Sequence, residues 1–377
     1  MSKITPKQAI DAAVGVYDLQ DGLLSPREAF VKYPEISNNF DLAGSTSLNS
    51  KTGAFIFKSK SGFGMIAKGK GRYQGEVLIS LRGTASAYDW VTDANAAIQL
   101  STTGKFVHAG FNRVFNEFEP ELKRFFSLNN FTRVHCVGHS LGGALAALTA
   151  DWVSKNKYSQ ASLYTFGSPR VGFYPFSDRL TQQLGADNIF RVHHHNDIVS
   201  LVPVWPFVHV PQPGMSCRLN DNGYNPISAH YKHNYTHSLS KTSDWAALKS
   251  PEQAESGSLE IKNWLSLNTI GVLSSYALGM IGKAIAYILK AAGIGVQLLG
   301  IAGITILDKL SYALDRAIQT SKEISDFVSM LLEKILSIVG AGINVAKNIT
   351  VEFIRWVFAQ LSLAVYRLVN LALKAAV

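Results

Sequence analysis

Residues 135–148 read HCVGHSLGGALAAL, and this stretch decides the predicted fold. A buried strand is predicted over 133–137, and the alanine- and leucine-rich residues at the end of the stretch predict a helix. Ser140 lies in the tight turn between them, where Gly138 and Gly142 leave room for strand and helix to approach each other. The amino end of a helix favours a developing oxyanion. We therefore predict that Ser140 is the nucleophile of an enzyme.

The residues around this turn alternate short β-rich runs with helical segments between about 54 and 210. Such alternation is typical of an α/β protein with a mostly parallel central sheet. The runs begin at Ala54, Glu76, Arg133, Ser162 and Asn188. In such sheets the loops at the carboxyl ends of the strands hold the ligand, so the residues that follow each run are candidates for the site.

A serine nucleophile needs a base, and the base needs an acid that orients it. Asp197 follows the run that begins at Asn188 and is the predicted acid. In this chain order the base follows the acid, and SAHYKHNYTHSL offers three histidines. We select His230 as the base, with His237 and His233 as alternatives.

Two backbone N–H groups are predicted to form an oxyanion hole, one from Leu141 and one from Thr84, which follows the run EVLISLRG. The triple histidine 193–195 could suggest a metal, but neighbours on a strand point to opposite faces and rarely share one ion. We therefore predict neither a metal nor another cofactor.

These motifs resemble those of the class 3 lipases, typified by fungal triacylglycerol lipases and their bacterial relatives. The resemblance covers roughly residues 54–240. Its matching segments are LRGTASAYDWVTD at 81–93, HAGF at 108–111, GHSLGGA at 138–144, YTFGSPRVG at 164–172 and RVHHHND at 191–197.

The resemblance implies an α/β-hydrolase fold and a glycerolipid ester as substrate. It implies that Ser140, Asp197 and a downstream histidine form the catalytic triad, with Thr84 and Leu141 as the oxyanion hole. Residues 85–88 would correspond to the family's mobile lid. In bacterial members the histidine often precedes an aromatic residue by five positions, as His230 precedes Tyr235.

The remainder of the chain changes in composition after about residue 211. Prolines, glycines and polar residues over 211–258 predict loops and a short helix. Residues 259–377 contain no proline and are rich in apolar residues at helical spacing. We expect a catalytic domain over 1–258 and a helical domain of amphipathic and apolar hairpins over 259–377. A heptad pattern from Leu310 to Ile338 predicts one helix of about 30 residues.

Charge and hydropathy indicate the partner and the location. The chain carries a net charge of +9 without a basic run, which favours an anionic lipid surface over nucleic acid. Residues 269–307 are nearly uncharged and rich in glycine, so we weigh membrane contact there against burial in a helical bundle. The first residues lack the apolar core of a signal peptide. We expect a cytoplasmic enzyme or one exported by a signal-less route, with membrane association as an alternative in either case.

The sequence as a whole predicts a serine hydrolase that cleaves acyl ester bonds of glycerolipids, either a triacylglycerol lipase or a phospholipase A1. One alternative is a phospholipase A1-type effector that attacks membranes, motivated by the helical region. The alternative from another class is an inactive lipid-binding module, which the intact set of triad and oxyanion motifs disfavours.

Overall fold

The computed structural model describes residues 3–22, 24–48, 64–83, 98–204, 206–212, 215–220, 222–251, 258–267, 272–295, 305–341 and 349–376. The strands are β1 (Phe40–Leu48), β2 (Gly64–Gly69), β3 (Glu76–Leu81), β4 (Ile98–Leu100), β5 (Phe106–His108), β6 (Arg133–His139), β7 (Gln160–Phe166), β8 (Gly172–Phe173), β9 (Ile189–His194), β10 (Phe207–Val208), β11 (Met215–Leu219) and β12 (Lys249–Pro251). The helices are α1 (Pro6–Gly15), α2 (Pro26–Ala29), α3 (Pro34–Ser37), α4 (Ala109–Ser127), α5 (Leu141–Lys155), α6 (Tyr174–Leu184), α7 (Lys232–Leu239), α8 (Ser258–Ser266), α9 (Ser275–Ala291), α10 (Ile306–Ile318), α11 (Lys322–Val339) and α12 (Val351–Ala376).

Among the described residues, the central sheet has eight strands in the order β1-β2-β3-β6-β7-β9-β11-β12. Strands β3, β6, β7, β9 and β11 run parallel to one another, whereas β1, β2 and β12 add antiparallel pairs at the two edges. A small second sheet has the order β10-β8-β5-β4. The predicted α/β fold with a mostly parallel sheet is confirmed.

The expectation of loops and one short helix over 211–258 is wrong in part. This segment contains β11, which pairs with β9 through Cys217 and Val192, and the edge strand β12. Both strands are short, and their residues lack a long apolar run because they complete one edge of the sheet. The run predicted at Ala54 lies outside the described residues.

The two faces of the sheet bury separate hydrophobic clusters because successive strand residues point to opposite sides. Cys136 packs with α4 and α5 on one face, whereas its neighbour Val137 packs with α1 on the other. Helix α5 also packs directly on β6 and β7. The strand before Ser140 is therefore held in place by packing on both faces of the sheet, and the helix after it by packing against that strand.

The helices after residue 258 differ from the predicted heptad helix. Two helices, α10 and α11, replace one continuous helix because Ser321 caps the second: its Oγ accepts a hydrogen bond from the N–H of Ile324 at 3.2 Å. Helix α11 ends at Gly340, whose φ of 74° is left-handed and suits glycine. The apolar pattern persists across the break because its positions are buried in both helices, as Leu314 and Val328 are.

In the described part of the chain, these helices share one hydrophobic core with the α/β region. Their buried residues belong to the same hydrophobic cluster as α4, α5 and the loop residues Val199 and Val202. Helix α12 packs against two 3-10 turns, Val199–Leu201 and Ser228–His230, and α9 packs against the first of them. The Oγ of Ser275 also donates a hydrogen bond to Oδ1 of Asn196 at 3.0 Å. The helical region therefore covers the loops that carry Asp197 and His230.

One helix among the described residues is long and apolar enough to cross a membrane. It is Val351–Lys374 in α12, with a mean hydropathy of 1.4 in its most apolar window, of which 39% is buried in the protein. The segment that we predicted as most membrane-like, 269–307, contains α9 and lies partly outside the described residues.

Candidate active site

Ser140 occupies a strained turn at the end of β6. Its φ of 58° and ψ of −132° are rare for a residue with a side chain. The Ser140 N–H donates to the carbonyl of Phe166 at 2.9 Å, and the Ser140 carbonyl accepts from the N–H of Gly143 at 2.9 Å. Because both backbone groups are bonded, the turn is held in this conformation and Oγ projects away from the sheet.

Gly138 and Gly142 pack so closely against neighbouring backbone that a side chain at either position would collide with it. A Cβ at Gly138 would lie under 3.0 Å from the backbone of Gly142, and a Cβ at Gly142 would lie under 3.0 Å from the backbone of Leu81. Both obstacles are main chain, which cannot rotate aside as a side chain can. The strand, the turn and β3 therefore approach each other only with glycine at these two positions.

Ser140, His230 and Asp197 lie in one hydrogen-bonded chain. His230 Nε2 is 2.9 Å from Ser140 Oγ, and His230 Nδ1 is 3.0 and 2.9 Å from the two carboxylate oxygens of Asp197. The side chains of His230 and Asp197 are fully buried. With Nδ1–H donated to the carboxylate, Nε2 is left to accept the serine proton, which is the geometry of a serine nucleophile with its base.

The carboxylate of Asp197 receives two further hydrogen bonds. Tyr235 Oη donates to Oδ2 at 2.6 Å, and the N–H of Val199 donates to Oδ1 at 2.9 Å. Burial by itself raises the pKa of Asp197, but the charge interaction with His230 and the hydrogen bonds from His230 and Tyr235 outweigh burial and lower it. Asp197 is therefore ionised in the neutral pH range and can stabilise a positive imidazole ring.

His233 and His237, the alternative bases, are not part of this chain of hydrogen bonds. Both lie on α7 with exposed side chains, whereas His230 lies buried in the turn just before that helix. Chain order after Asp197 left all three histidines open, and the spacing to Tyr235, taken from the family resemblance, favoured His230. Of the three, the structure brings His230 alone to the serine.

His139 packs against His230 and was not identified as a site residue from the sequence. Its ring stacks on that of His230 with 4.8 Å between centroids, and its Nε2 donates to the His230 carbonyl at 3.0 Å. Burial and the nearby His230 lower the pKa of His139 to about 3, so the ring is neutral and Nδ1 accepts from Tyr17 Oη at 3.1 Å. Tyr17 also accepts from the N–H of Gly83 at 3.1 Å. This network holds the backbone of the base in place.

Of the two residues predicted to form the oxyanion hole, Leu141 lies within the described residues. Leu141 is the first residue of α5, so its N–H points outward from the helix beside Ser140. Gly83 lies against both residues, since a Cβ at this position would be 3.5 Å from Ser140 Cβ and 3.6 Å from Leu141 N. Thr84 and the predicted lid residues 85–88 lie outside the described residues, as do Trp90 and Asp93 of the first matching motif.

The triple histidine 193–195 takes part in packing and hydrogen bonds. His194 is buried, and its ring lies 2.8 Å from the Ala229 carbonyl and 2.9 Å from Ser238 Oγ. His193 Nε2 faces Ser216 Oγ at 3.4 Å. Within the described part of the chain, no group of three or more histidine, cysteine or acidic side chains is placed to hold a metal ion.

Tyr235→Phe is expected to lower kcat on a soluble ester by roughly tenfold, because a hydrogen bond to a charged group contributes about 1.5–3 kcal/mol. Loss of this bond makes the carboxylate of Asp197 more basic. The pKa of Asp197, which the Tyr235 hydrogen bond helps to lower, then rises. The carboxylate is protonated at higher pH and no longer stabilises the positive imidazole, so the acid side of the kcat/KM profile moves upward. A pH series on a p-nitrophenyl ester measures both effects. Tyr231→Phe, at the N-cap of the same helix, is the control, and an equal shift in that variant would contradict the assignment.

The sheet order, the strained serine turn and the hydrogen-bonded triad define an α/β-hydrolase. Residues 78–207 match the model of the lipase (class 3) family. The predicted resemblance to the class 3 lipases is therefore confirmed over this segment.

Individual relatives match parts of the chain. A secreted mono- and diacylglycerol lipase of Fusarium solani is 35% identical over 134 residues, which are 34% of this chain and 39% of that protein. Phospholipase A1-II 1 of Oryza sativa subsp. indica is 26% identical over 203 residues, which are 44% of this chain and 50% of that protein. The solved structure of a lipase from Rhizopus microsporus var. chinensis aligns with a TM-score of 0.41 at 22% identity, covering 58% of this chain and 75% of that one. The chain thus spans half or less of the length of these two sequence relatives.

Proposed function

We propose that this protein hydrolyses carboxylic ester bonds of glycerolipids through an acyl-serine intermediate on Ser140. The observation that carries the proposal is the hydrogen-bonded chain from Ser140 through His230 to Asp197, with 2.9 Å between Oγ and Nε2. The match to the class 3 lipase family supports the substrate class. Relatives named as a mono- and diacylglycerol lipase and as a phospholipase A1 support it further.

In the first half of the proposed reaction, Ser140 Oγ attacks the acyl carbonyl carbon and its proton moves to His230 Nε2. The carbonyl oxygen becomes an oxyanion that accepts hydrogen bonds from the N–H of Leu141 and, in this proposal, of Thr84. Asp197 stabilises the positive imidazole. His230 then gives its proton to the leaving alcohol oxygen as the ester bond breaks, which leaves an acyl-serine.

In the second half, water replaces the alcohol. His230 Nε2 takes one proton from the water while its oxygen bonds to the acyl carbon, and the oxyanion forms at the same position. The intermediate collapses, His230 returns the proton to Ser140 Oγ, and the fatty acid leaves. No step needs a metal ion or an organic cofactor, because the charge that develops is balanced by backbone N–H groups and by Asp197.

The division of labour along the chain is also a proposal. Residues 1–258 would carry the catalytic machinery, and the helices of 259–377 would cover it and meet the lipid. The packing of α12 against the turn Ser228–His230 supports this arrangement, and the apolar stretch within 269–307 supports membrane contact by the same region.

Ser140→Ala tests the proposed activity. We expect the wild-type protein to release p-nitrophenol from short-chain esters and fatty acid from lipid, and the variant to lose both. Equal turnover by the two proteins would refute the enzymatic proposal and favour a lipid-binding module.

Product analysis on two substrates separates the triacylglycerol lipase from the phospholipase A1. On mixed liposomes, a phospholipase A1 releases the sn-1 fatty acid and leaves a lysophospholipid. On triolein emulsions, a lipase releases oleic acid. The ratio of the two initial rates assigns the preferred glycerolipid, and activity on neither substrate would contradict the proposed substrate class.

A further inference from the structure

Helix α12 has two faces of different character. One face is buried against α10 and α11 and against the catalytic turns. The other is exposed and carries large apolar side chains: Trp356 is 37% exposed, Leu363 54% and Leu371 52%. In a helix with 3.6 residues per turn these positions lie within one stripe, so the exposed apolar groups form a continuous strip along the helix.

The same stripe is basic. Arg367 and Lys374 are exposed on it, Arg355 is exposed beside it at about 100° around the helix from Trp356, and Glu352 at the start of the helix is the single acidic residue of α12. Arg355 pairs with Asp308 at 2.8 Å, which leaves Arg367 and Lys374 in the second half of the helix facing outward. Exposed apolar side chains interleaved with lysine and arginine are typical of helices that lie in the plane of a lipid surface.

We propose that the outward stripe of α12, defined by Trp356, Leu363, Arg367, Leu371 and Lys374, is a docking surface for an anionic phospholipid bilayer. The apolar side chains enter the boundary between headgroups and acyl chains, and the cationic side chains pair with lipid phosphates. The net charge of +9 attracts the whole chain to the same surface. A bilayer fits this stripe better than a second copy of the chain, because two copies would bring like charges together.

Docking at this stripe bears directly on the triad. The opposite side of α12 packs against the turns that contain His230 and follow Asp197. Ser140 is only 4% exposed with the helices in this position. A helix that contacts lipid on one face and these turns on the other can change how accessible Ser140 is when the protein binds a bilayer. This consequence rests on the proposed function.

The docking surface is tested in the Ser140→Ala variant, so vesicle binding is measured without ester turnover. The result for binding is then independent of whether the proposed activity is correct. The assay is co-flotation of the full chain with vesicles of phosphatidylcholine containing phosphatidylglycerol, and with vesicles of phosphatidylcholine alone. We expect stronger partition into the anionic vesicles and a decrease as salt is raised. Arg367→Gln combined with Lys374→Gln should lower the partition coefficient about tenfold to thirtyfold. Trp356→Asp combined with Leu363→Asp should lower it at least as much.

Matched controls use similar side chains elsewhere on the surface. Lys123→Gln with Arg124→Gln removes two exposed cationic groups on α4, and Val31→Asp with Leu128→Asp replaces two residues that are 72% and 78% exposed. Circular dichroism establishes that each variant is folded. Partition of the stripe variants equal to that of the controls would overturn the proposal. Concentration-dependent self-association that the stripe variants abolish, with vesicle binding unchanged, would also overturn it by assigning the stripe to a second copy.

Discussion

His230→Ala is expected to lower kcat on a soluble p-nitrophenyl ester by about 10⁴- to 10⁶-fold, as much as Ser140→Ala does, because members of a triad act as one unit. Without the imidazole, no group in the hydrogen-bonded chain takes the proton of Ser140 Oγ. The double variant should be no worse than either single variant. Steady-state kinetics with active-site titration of the wild-type protein measures the loss.

His233→Ala and His237→Ala are the matched controls, because both histidines lie within seven positions of His230 on exposed parts of α7. We expect kcat within about twofold of the wild-type value for each, since exposed substitutions away from a site have small effects. A severe loss at His237 together with a mild loss at His230 would reassign the base and contradict the geometry of the triad.

Gly142→Ala is expected to have the second-largest effect, a loss of native protein or a destabilisation of about 3 kcal/mol or more together with loss of activity. The added methyl group would lie under 3.0 Å from the carbonyl oxygen of Leu81, so β3 and the serine turn would have to separate. That movement shifts Gly83 away from Ser140. Thermal unfolding, expression in soluble form and ester turnover report the three consequences.

Gly279→Ala provides the control for this substitution. Gly279 lies inside α9, and a Cβ there would meet no atom within 4 Å. Replacing a glycine by alanine in a helix stabilises by up to about 1 kcal/mol. We therefore expect a small rise in the unfolding temperature and unchanged turnover. A comparable loss of stability in both variants would show that contact distance is not what requires glycine at 142.

The serine turn could be predicted from the sequence because its requirements are local. A strand, two glycines and a helix within 16 residues are enough to recognise it, and Asp197 follows its strand in the same way. Chain order did not separate His230 from its neighbours, because that choice depends on where the turn before α7 meets Ser140. The spacing to Tyr235 favoured His230 only through the family resemblance. No sequence pattern indicated that Tyr17 belongs to the site, because it lies 122 positions from His139, to which it is hydrogen-bonded.

The errors beyond the site also have physical causes. The heptad pattern continued across Ser321 because its positions are buried in both α10 and α11, and hydrophobic periodicity alone does not reveal a helix cap. Strand β11 lacked a recognisable pattern because a short strand near the edge of a sheet buries few residues. The contact between α12 and the catalytic turns could not be predicted from the sequence. Hydropathy indicates that a helix is apolar but does not indicate which surface it packs against.

The shared hydrophobic cluster has a consequence for how the protein is made. The ribosome delivers the residues around Ser140 long before those of α12, so the catalytic turns exist for a time without the helices that pack on them. During that interval the apolar residues of the site loops are open to water and to other chains, a state prone to association. The catalytic region of a nascent chain is thus incomplete until the helical region has been synthesised and has closed over it.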